Sequence, residues 1–328
     1  MNRHLTRLGV IGAGYWGTNL IRNCADLGAL HIVCDADCTA LERVCAAFPG
    51  VVVTTEIERL LAAPIDGVIV AAPAHLHAVM ARRAIAAGKH VFVEKPFALT
   101  VADAEAIVSD ADRAGVTSFA GHILLYHPAV RRLLELVRAG DVGKVLHARS
   151  RRLSLGRVRE NESVWWSFAP HDVALVIELF GEPPVGVTGV QHRLSAHPSA
   201  DFAYADAHFA SGGSAHIEVS WRDPDKCSRC DVFGTDGVLT FSDAPQGASL
   251  TLTRCGVDVA AEGRRIRREP SERIHYPVGE PLRLELEAFL ASVATGEPAL
   301  ADGHRALEVV RVLAALEACS PAPQEAIV

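Results

Sequence analysis

An apolar run, Leu8-Gly9-Val10-Ile11, is followed at once by Gly12-Ala13-Gly14-Tyr15-Trp16-Gly17 and then by an amphipathic segment from Thr18 to Leu27. No other stretch restricts the fold as strongly. The first glycine permits a tight turn out of a strand, the second lets backbone come close to a pyrophosphate, and the third lets a new helix pack on the sheet. The N–H groups opening that helix are then aimed at phosphate. Glycine turns between strand and helix are common, so the flanks decide the meaning. Asp35 ends the next strand-like run, Leu30-His31-Ile32-Val33-Cys34-Asp35, at about the spacing of a ribose-binding acid. The stretch predicts a dinucleotide site in which Gly12, Gly14, Tyr15, Trp16 and Gly17 lie along the cofactor. A carboxylate at Asp35 would accept from the ribose 2′-OH and repel a 2′-phosphate, and Ala36-Asp37 places no arginine beside it. NAD is therefore expected over NADP.

The rest of the chain is organised in two styles. Strand-like and helix-like segments alternate strictly from Arg7 to Gly121, which predicts a Rossmann doubly wound parallel sheet over residues 1–121. Beyond Gly121, strand-like runs follow one another with Gly212-Gly213 and Asp236-Gly237 as hairpin signals. Residues 122–328 are thus expected to form an α+β domain with a mostly antiparallel open sheet. A short helix is read from Pro170 to Leu179, and Glu262–Arg273 reads as a charged surface loop. The closing helices, Pro281–Thr295 and Gly303–Ala318, are ones that could pack back on the first domain.

A chain of 328 residues accommodates two such cores. Its net charge of −7 offers no general attraction to nucleic acid or anionic membrane. With no signal-peptide pattern and no apolar run of membrane-spanning length, a cytoplasmic location is expected. Of the eight cysteines, only Cys227 and Cys230 form a C-x-x-C, with no second pair or paired histidines at finger spacing. Reduced structural thiols and no bound metal are expected.

Two strand ends point to chemistry. Ala71-Ala72-Pro73 closes the fourth strand and Glu94-Lys95-Pro96 the fifth. Ligands of open α/β sheets lie beyond the carboxyl ends of the strands, so Ala72, Pro73, Glu94 and Lys95 are expected to border the cofactor. Proline also restricts the backbone of Lys95 before it.

Gly12 to Gly17, Asp35, the segment from Pro73 to His77 and above all Glu94-Lys95-Pro96 resemble the Gfo/Idh/MocA oxidoreductases over essentially the whole chain. The resemblance implies NAD(P)-dependent oxidation or reduction of a sugar or cyclitol carbon. It places Lys95 near the reacting hydroxyl, His77 beside the nicotinamide, and the second domain's sheet in oligomer contacts, as a homodimer or homotetramer. Many members carry D-x-x-x-H in the second domain. Here Ser167-Phe168-Ala169-Pro170-His171-Asp172 keeps the histidine, as His171, and replaces the first acid with Ser167. The run from Trp165 to Asp172, with Gly121-His122 and His127-Pro128, is similar to a branch acting at C3 of UDP-linked N-acetylhexosamines.

Alcohol oxidation needs a proton acceptor, and histidine titrates near neutral pH without perturbation. His171 is the expected acceptor, with Lys95 stabilising alkoxide charge or sharing the proton transfer; the reverse assignment, with a desolvated Lys95 as base, is physically reasonable. Asp172 either orients His171 or favours the start of a helix near Pro170. Arg149, Arg151, Arg152, Arg157 and Arg159 form a dense run suited to pyrophosphate, or else a solvated strand face. Arg157 and Arg159 are the favoured substrate contacts. His122, Tyr126 and Trp166 complete the candidate substrate residues, each with packing as its alternative. A cofactor-sensing regulator on the same fold would need neither Lys95 nor His171.

Overall fold

The computed structural model describes residues 6–155, 162–194, 199–244, 247–260 and 263–319. The chain divides into two compact units, residues 1–123 with 280–310 and residues 124–279 with 311–328.

The first unit alternates β1 (Leu8–Ile11), α1 (Gly17–Asp26), β2 (Leu30–Cys34), α2 (Cys38–Ala47), β3 (Val52–Thr54), α3 (Ile57–Leu61), β4 (Gly67–Val70), α4 (His77–Ala86), β5 (His90–Val93), α5 (Val101–Ala114) and β6 (Ser118–Ala120). Every strand pairs in parallel, in the order β3-β2-β1-β4-β5-β6. All four residues of β1 and of β4 are buried, the signature of strands covered on both faces. The order reverses between β1 and β4, so the glycine loop leaving β1 opens at the switch point of the sheet. Asp37 caps α2 by accepting from the Thr39 N–H at 2.9 Å, and Thr100 caps α5 through the Asp103 N–H at 3.0 Å. Each such cap is worth about 1 kcal/mol.

The second unit holds α6 (Pro128–Ala139), β7 (Val145–Leu153), α7 (Val164–Phe180), β8 (Gly186–His192), β9 (Phe202–His208), β10 (Ser214–Ser220), β11 (Cys227–Gly234), β12 (Gly237–Ala244), β13 (Gly247–Ala260), β14 (Gly263–Arg268) and β15 (Glu272–Arg273). Its sheet runs β14-β13-β12-β11-β7-β10-β9-β8, with β15 on β13. Among the described residues one strand pair of this sheet is parallel, β7 with β10, and the connection between them includes α7. That is what a parallel pair requires, since a tight hairpin joins only antiparallel strands. Two helices end the chain, α8 (Pro281–Thr295) and α9 (Gly303–Cys319). Phe289 of α8 joins Phe92 and Phe119 in an aromatic cluster, with centroids 5.2–5.7 Å apart, which places α8 in the first unit.

Two segments differ from expectation. The helix read as Pro170–Leu179 starts six residues earlier, at Val164, where the Ser163 hydroxyl accepts from the Trp166 N–H. Pro170 therefore sits inside α7. A proline there costs about 3 kcal/mol, but α7 is buried on nearly every side and that apolar burial holds the helix together. Second, the charged stretch taken as a loop contributes β14, hairpinned onto β13, and β15. Its arginines are tolerated because β14 is an edge strand with exposed side chains.

Candidate active site

In the first unit the glycines of the loop have different reasons. Gly12 has φ of 102°, and a Cβ on it would stand 2.5 Å from the Ala71 carbonyl oxygen. A Cβ on Gly17 would collide with the Gly12 carbonyl oxygen. Those two glycines are demanded by the fold. At Gly14 a Cβ would meet nothing within 4 Å, so the protein's own packing does not require a glycine there. Close approach of a ligand to the backbone would require one, and this open cradle has room for a pyrophosphate. The N-terminus of α1 has no side-chain cap and no acid in its first turn, which leaves its positive end to a bound anion. Asp35 is held against the loop: Oδ2 accepts from the Ala13 N–H at 2.6 Å and Oδ1 from the Asp37 N–H at 2.8 Å. Tyr15 is exposed at the tip of the loop.

Trp16 turns inward. Its indole N–H donates to Glu94 Oε1 at 2.6 Å, while Glu94 Oε2 accepts from the Lys95 N–H at 3.2 Å. Glu94 is buried, and a Cβ on Gly121 would lie 2.9 Å from its carboxyl group. The Lys95–Pro96 peptide is cis, and Lys95 is half-buried. His77 is buried with Nδ1 2.7 Å from the Pro96 carbonyl oxygen and Nε2 2.8 Å from that of Ala72. It thereby links the loops after β4 and β5, so its closest contacts are with the chain itself rather than with open space. His122 lies wholly inside, at 1 % exposure. Burial, and then the Lys95 ammonium, push its imidazole down to about 4. It is therefore a neutral group behind Lys95, not one presented to solvent.

In the second unit, Ser167 and His171 share one face of α7, four residues apart. Ser167 is buried and His171 half-buried. Asp172 departs from its reading as a residue that favours the start of a helix. It lies well inside α7 rather than at the helix start, at 2 % exposure. Its Oδ1 accepts from the Ser150 hydroxyl at 2.6 Å, and its Oδ2 from Arg152 Nε at 2.6 Å. Its oxygens are engaged by β7, so its effect on a substrate runs through the placement of α7. The arginine run is split by strand alternation: Arg152 faces α7, whereas Arg149 points to the other face and pairs with Asp231 at 2.8 Å. Arg157 and Arg159 lie outside the described residues. Tyr126 is buried at 1 % exposure, and Trp166 at 5 % is hydrogen-bonded to Glu317. Both occupy packing positions. His127 caps α6 through the Ala129 N–H and packs on Phe241 and Tyr276.

Sequence reasoning did not single out Arg152 as the partner of Asp172, or Glu285. The second had a visible signal: an acid at helical spacing within the apolar stripe Leu282, Leu286, Phe289. No cluster of metal ligands occurs among the described residues, and all eight cysteines are free. Burial pushes the Cys24 thiol up to about 12, so it is an unreactive core group. No helix among the described residues is long and apolar enough to cross a membrane.

A parallel sheet with an open glycine loop at its switch point, an acid held against that loop and a lysine at the end of β5 are the parts that a nicotinamide-dependent oxidoreductase needs. Residues 6–122 match the model of the Gfo/Idh/MocA oxidoreductase family, NAD-binding Rossmann fold, and residues 130–240 match that of the Gfo/Idh/MocA C-terminal domain. The chain belongs to this family. UDP-N-acetylglucosamine 3-dehydrogenase of Acidithiobacillus ferrooxidans is 28% identical over 303 residues, 90% of this chain and 91% of that protein. Its solved structure aligns with a TM-score of 0.82 at 26% identity, covering 95% of this chain and 98% of that one. Inositol 2-dehydrogenase 1 of Saccharopolyspora erythraea is 29% identical over 336 residues, 97% of this chain and 94% of that protein. The protein is thus an NAD(P)-dependent enzyme of a family that oxidises and reduces sugars and cyclitols.

Proposed function

We propose that the protein oxidises the C3 hydroxyl of a UDP-linked N-acetylhexosamine to a ketone, with NAD as hydride acceptor. The observation that carries this reading is similarity over nine-tenths of both chains to a UDP-N-acetylglucosamine 3-dehydrogenase. Retention of Lys95 and His171 supports catalysis over cofactor sensing.

Bound NAD supplies the carbon that takes the hydride. The Gly12–Gly17 loop and the N-terminus of α1 hold its pyrophosphate, and Asp35 accepts from the adenosine ribose. His171 takes the hydroxyl proton, and the Lys95 ammonium stabilises alkoxide charge as it develops. The reverse assignment of these two is the alternative. Asp172, clamped by Arg152 and Ser150, holds the helix that carries His171. Arg157 and Arg159 suit the substrate pyrophosphate. A homodimer or homotetramer through the sheet of the second unit is the expected assembly, and the cytoplasm the expected location.

A second reading, oxidation of a free cyclitol, is favoured by the equally extensive similarity to an inositol dehydrogenase. Reduced-cofactor absorbance with UDP-N-acetylglucosamine, free glucose and myo-inositol, each with NAD and NADP, separates the two. Turnover of the nucleotide sugar with NAD is expected. Turnover of myo-inositol alone would replace the first reading with the second.

A further inference from the structure

Helix α8 buries a stripe of side chains in the first unit: Leu282, Leu286 and Phe289, spaced at helical intervals, with Glu285 among them. Glu285 is 0 % exposed, and neither carboxyl oxygen has a hydrogen-bond partner among the described residues. Phe289, one helical turn from Glu285, packs edge-on against Phe92, two residues before Glu94, with ring centroids 5.7 Å apart, which brings α8 against the end of β5. Burial first, and then the charge of Glu94, the residue that anchors Trp16 and precedes Lys95, oppose ionisation of Glu285. An ionised carboxylate buried without a partner is far more costly than a neutral one, and two carboxyl groups in one dry site do not both ionise. The two are not equivalent. Glu94 accepts from the Trp16 indole and from the Lys95 N–H, which favours its anion; Glu285 accepts from no donor among the described residues.

We infer that Glu94 and Glu285 are a coupled carboxyl pair holding one proton, resident on Glu285, which sets a single negative charge behind Lys95. Glu285 is then a positioning residue: kept neutral, it leaves the Glu94 anion free to hold Trp16 and the Lys95 backbone. The cationic side chains Arg22 of α1 and Arg283 of α8 are engaged by other acids. On α1, Arg22 and Asn23 both bond Glu280; on α8, Arg283 pairs with Glu287; and His122, beside Lys95, is neutral. The consequence for catalysis rests on the role of Lys95 proposed above, whereas the protonation of Glu285 does not.

Protein stability against pH tests the pair without any turnover. Native Glu285 keeps its proton where the unfolded chain has lost it, so stability falls as pH rises above the unfolded value near 4.5. Glu285→Gln removes that dependence. Its melting temperature should gain on the wild type by roughly 3–5 °C per pH unit between pH 5 and 7. A gap that does not change with pH would overturn the inference. If Glu285→Gln does not fold, Glu285→Met, of similar volume, serves the same comparison. Infrared spectra of the wild type supply an independent readout: the carbonyl band of a protonated carboxylic acid should persist at pH 7. In Glu94→Gln that band should titrate away at lower pH, because the repulsion is gone. A band absent at pH 7 would overturn the neutral acid, and one that ignores the Glu94 substitution would overturn the coupling. Failure to oxidise any sugar would leave all of these outcomes readable.

Discussion

The glycine loop after β1 and the helix α7 each present residues of the proposed chemistry, and they fix them by opposite means. The loop is held by backbone: a Cβ at Gly12 or Gly17 collides with carbonyl oxygens, and Asp35 grips the Ala13 N–H. Helix α7 is held by side chains distant in sequence, with Asp172 clamped to Ser150 and Arg152 of β7 and the Trp165 indole donating to the Leu313 carbonyl at 3.1 Å. A backbone rule is written in a few neighbouring letters. A side-chain clamp is written in letters far apart, and nothing local announces it.

The largest effects expected are those on chemistry. Lys95→Ala and His171→Ala should each lower turnover by about 10²–10⁴-fold, measured as initial rates at saturating substrate, with NAD affinity nearly unchanged. Loss of NAD binding instead would make either residue part of the cradle. Next comes the clamp. Arg152→Ala leaves a buried carboxylate on α7 without its cation and should cost about 3 kcal/mol in denaturant unfolding. A wild-type midpoint would show that α7 is held by packing alone.

Acid sensitivity sharpens the contrast on the loop side. His122 is buried neutral with its titration lowered to about 4, so the unfolded chain binds more protons below about 6.5 and stability falls as pH drops towards 4. His122→Gln should remove up to about 3 kcal/mol of that acid loss, read from melting curves across pH 4–7. Equal acid slopes in the two proteins would contradict the burial assignment. Within the loop, Gly14→Ala should weaken NAD about tenfold in a fluorescence titration, about 1.4 kcal/mol, with the melting temperature of the free protein little changed. The same substitution at Gly12 should lower the melting temperature itself. An effect of the same size is expected on selectivity: Asp35→Ala should raise the NAD Michaelis constant and relax discrimination against NADP by about tenfold. Unchanged selectivity would remove Asp35 from the ribose site.

The legible parts share a cause. Parallel strands buried on both faces read as short apolar runs between helices, and the loop glycines and Asp35 lie within one strand–helix–strand unit. Glu94-Lys95-Pro96 was visible because it follows a buried run directly. The start of α7 was not, because Pro170 reads as a boundary and only the burial of Trp165 and Trp166 shows that the helix begins before it. β14 was hidden by its charge, since an edge strand needs no apolar side chains. His122 and Tyr126 looked like ligand contacts by position and proved to be interior residues.

By itself, then, the sequence determined a Rossmann sheet, a cradle for a dinucleotide and the residue types needed to move a proton, because each is a local demand of backbone or chemistry. Tertiary structure decided which polar residues are available for that work. It committed Asp172 to Arg152, tied the Trp16 indole to Glu94, buried His122, and placed Glu285, from the far end of the chain, in the interior of the first unit. The physical reason is that the state of a buried polar group depends on the partners it finds, and chain order does not specify them.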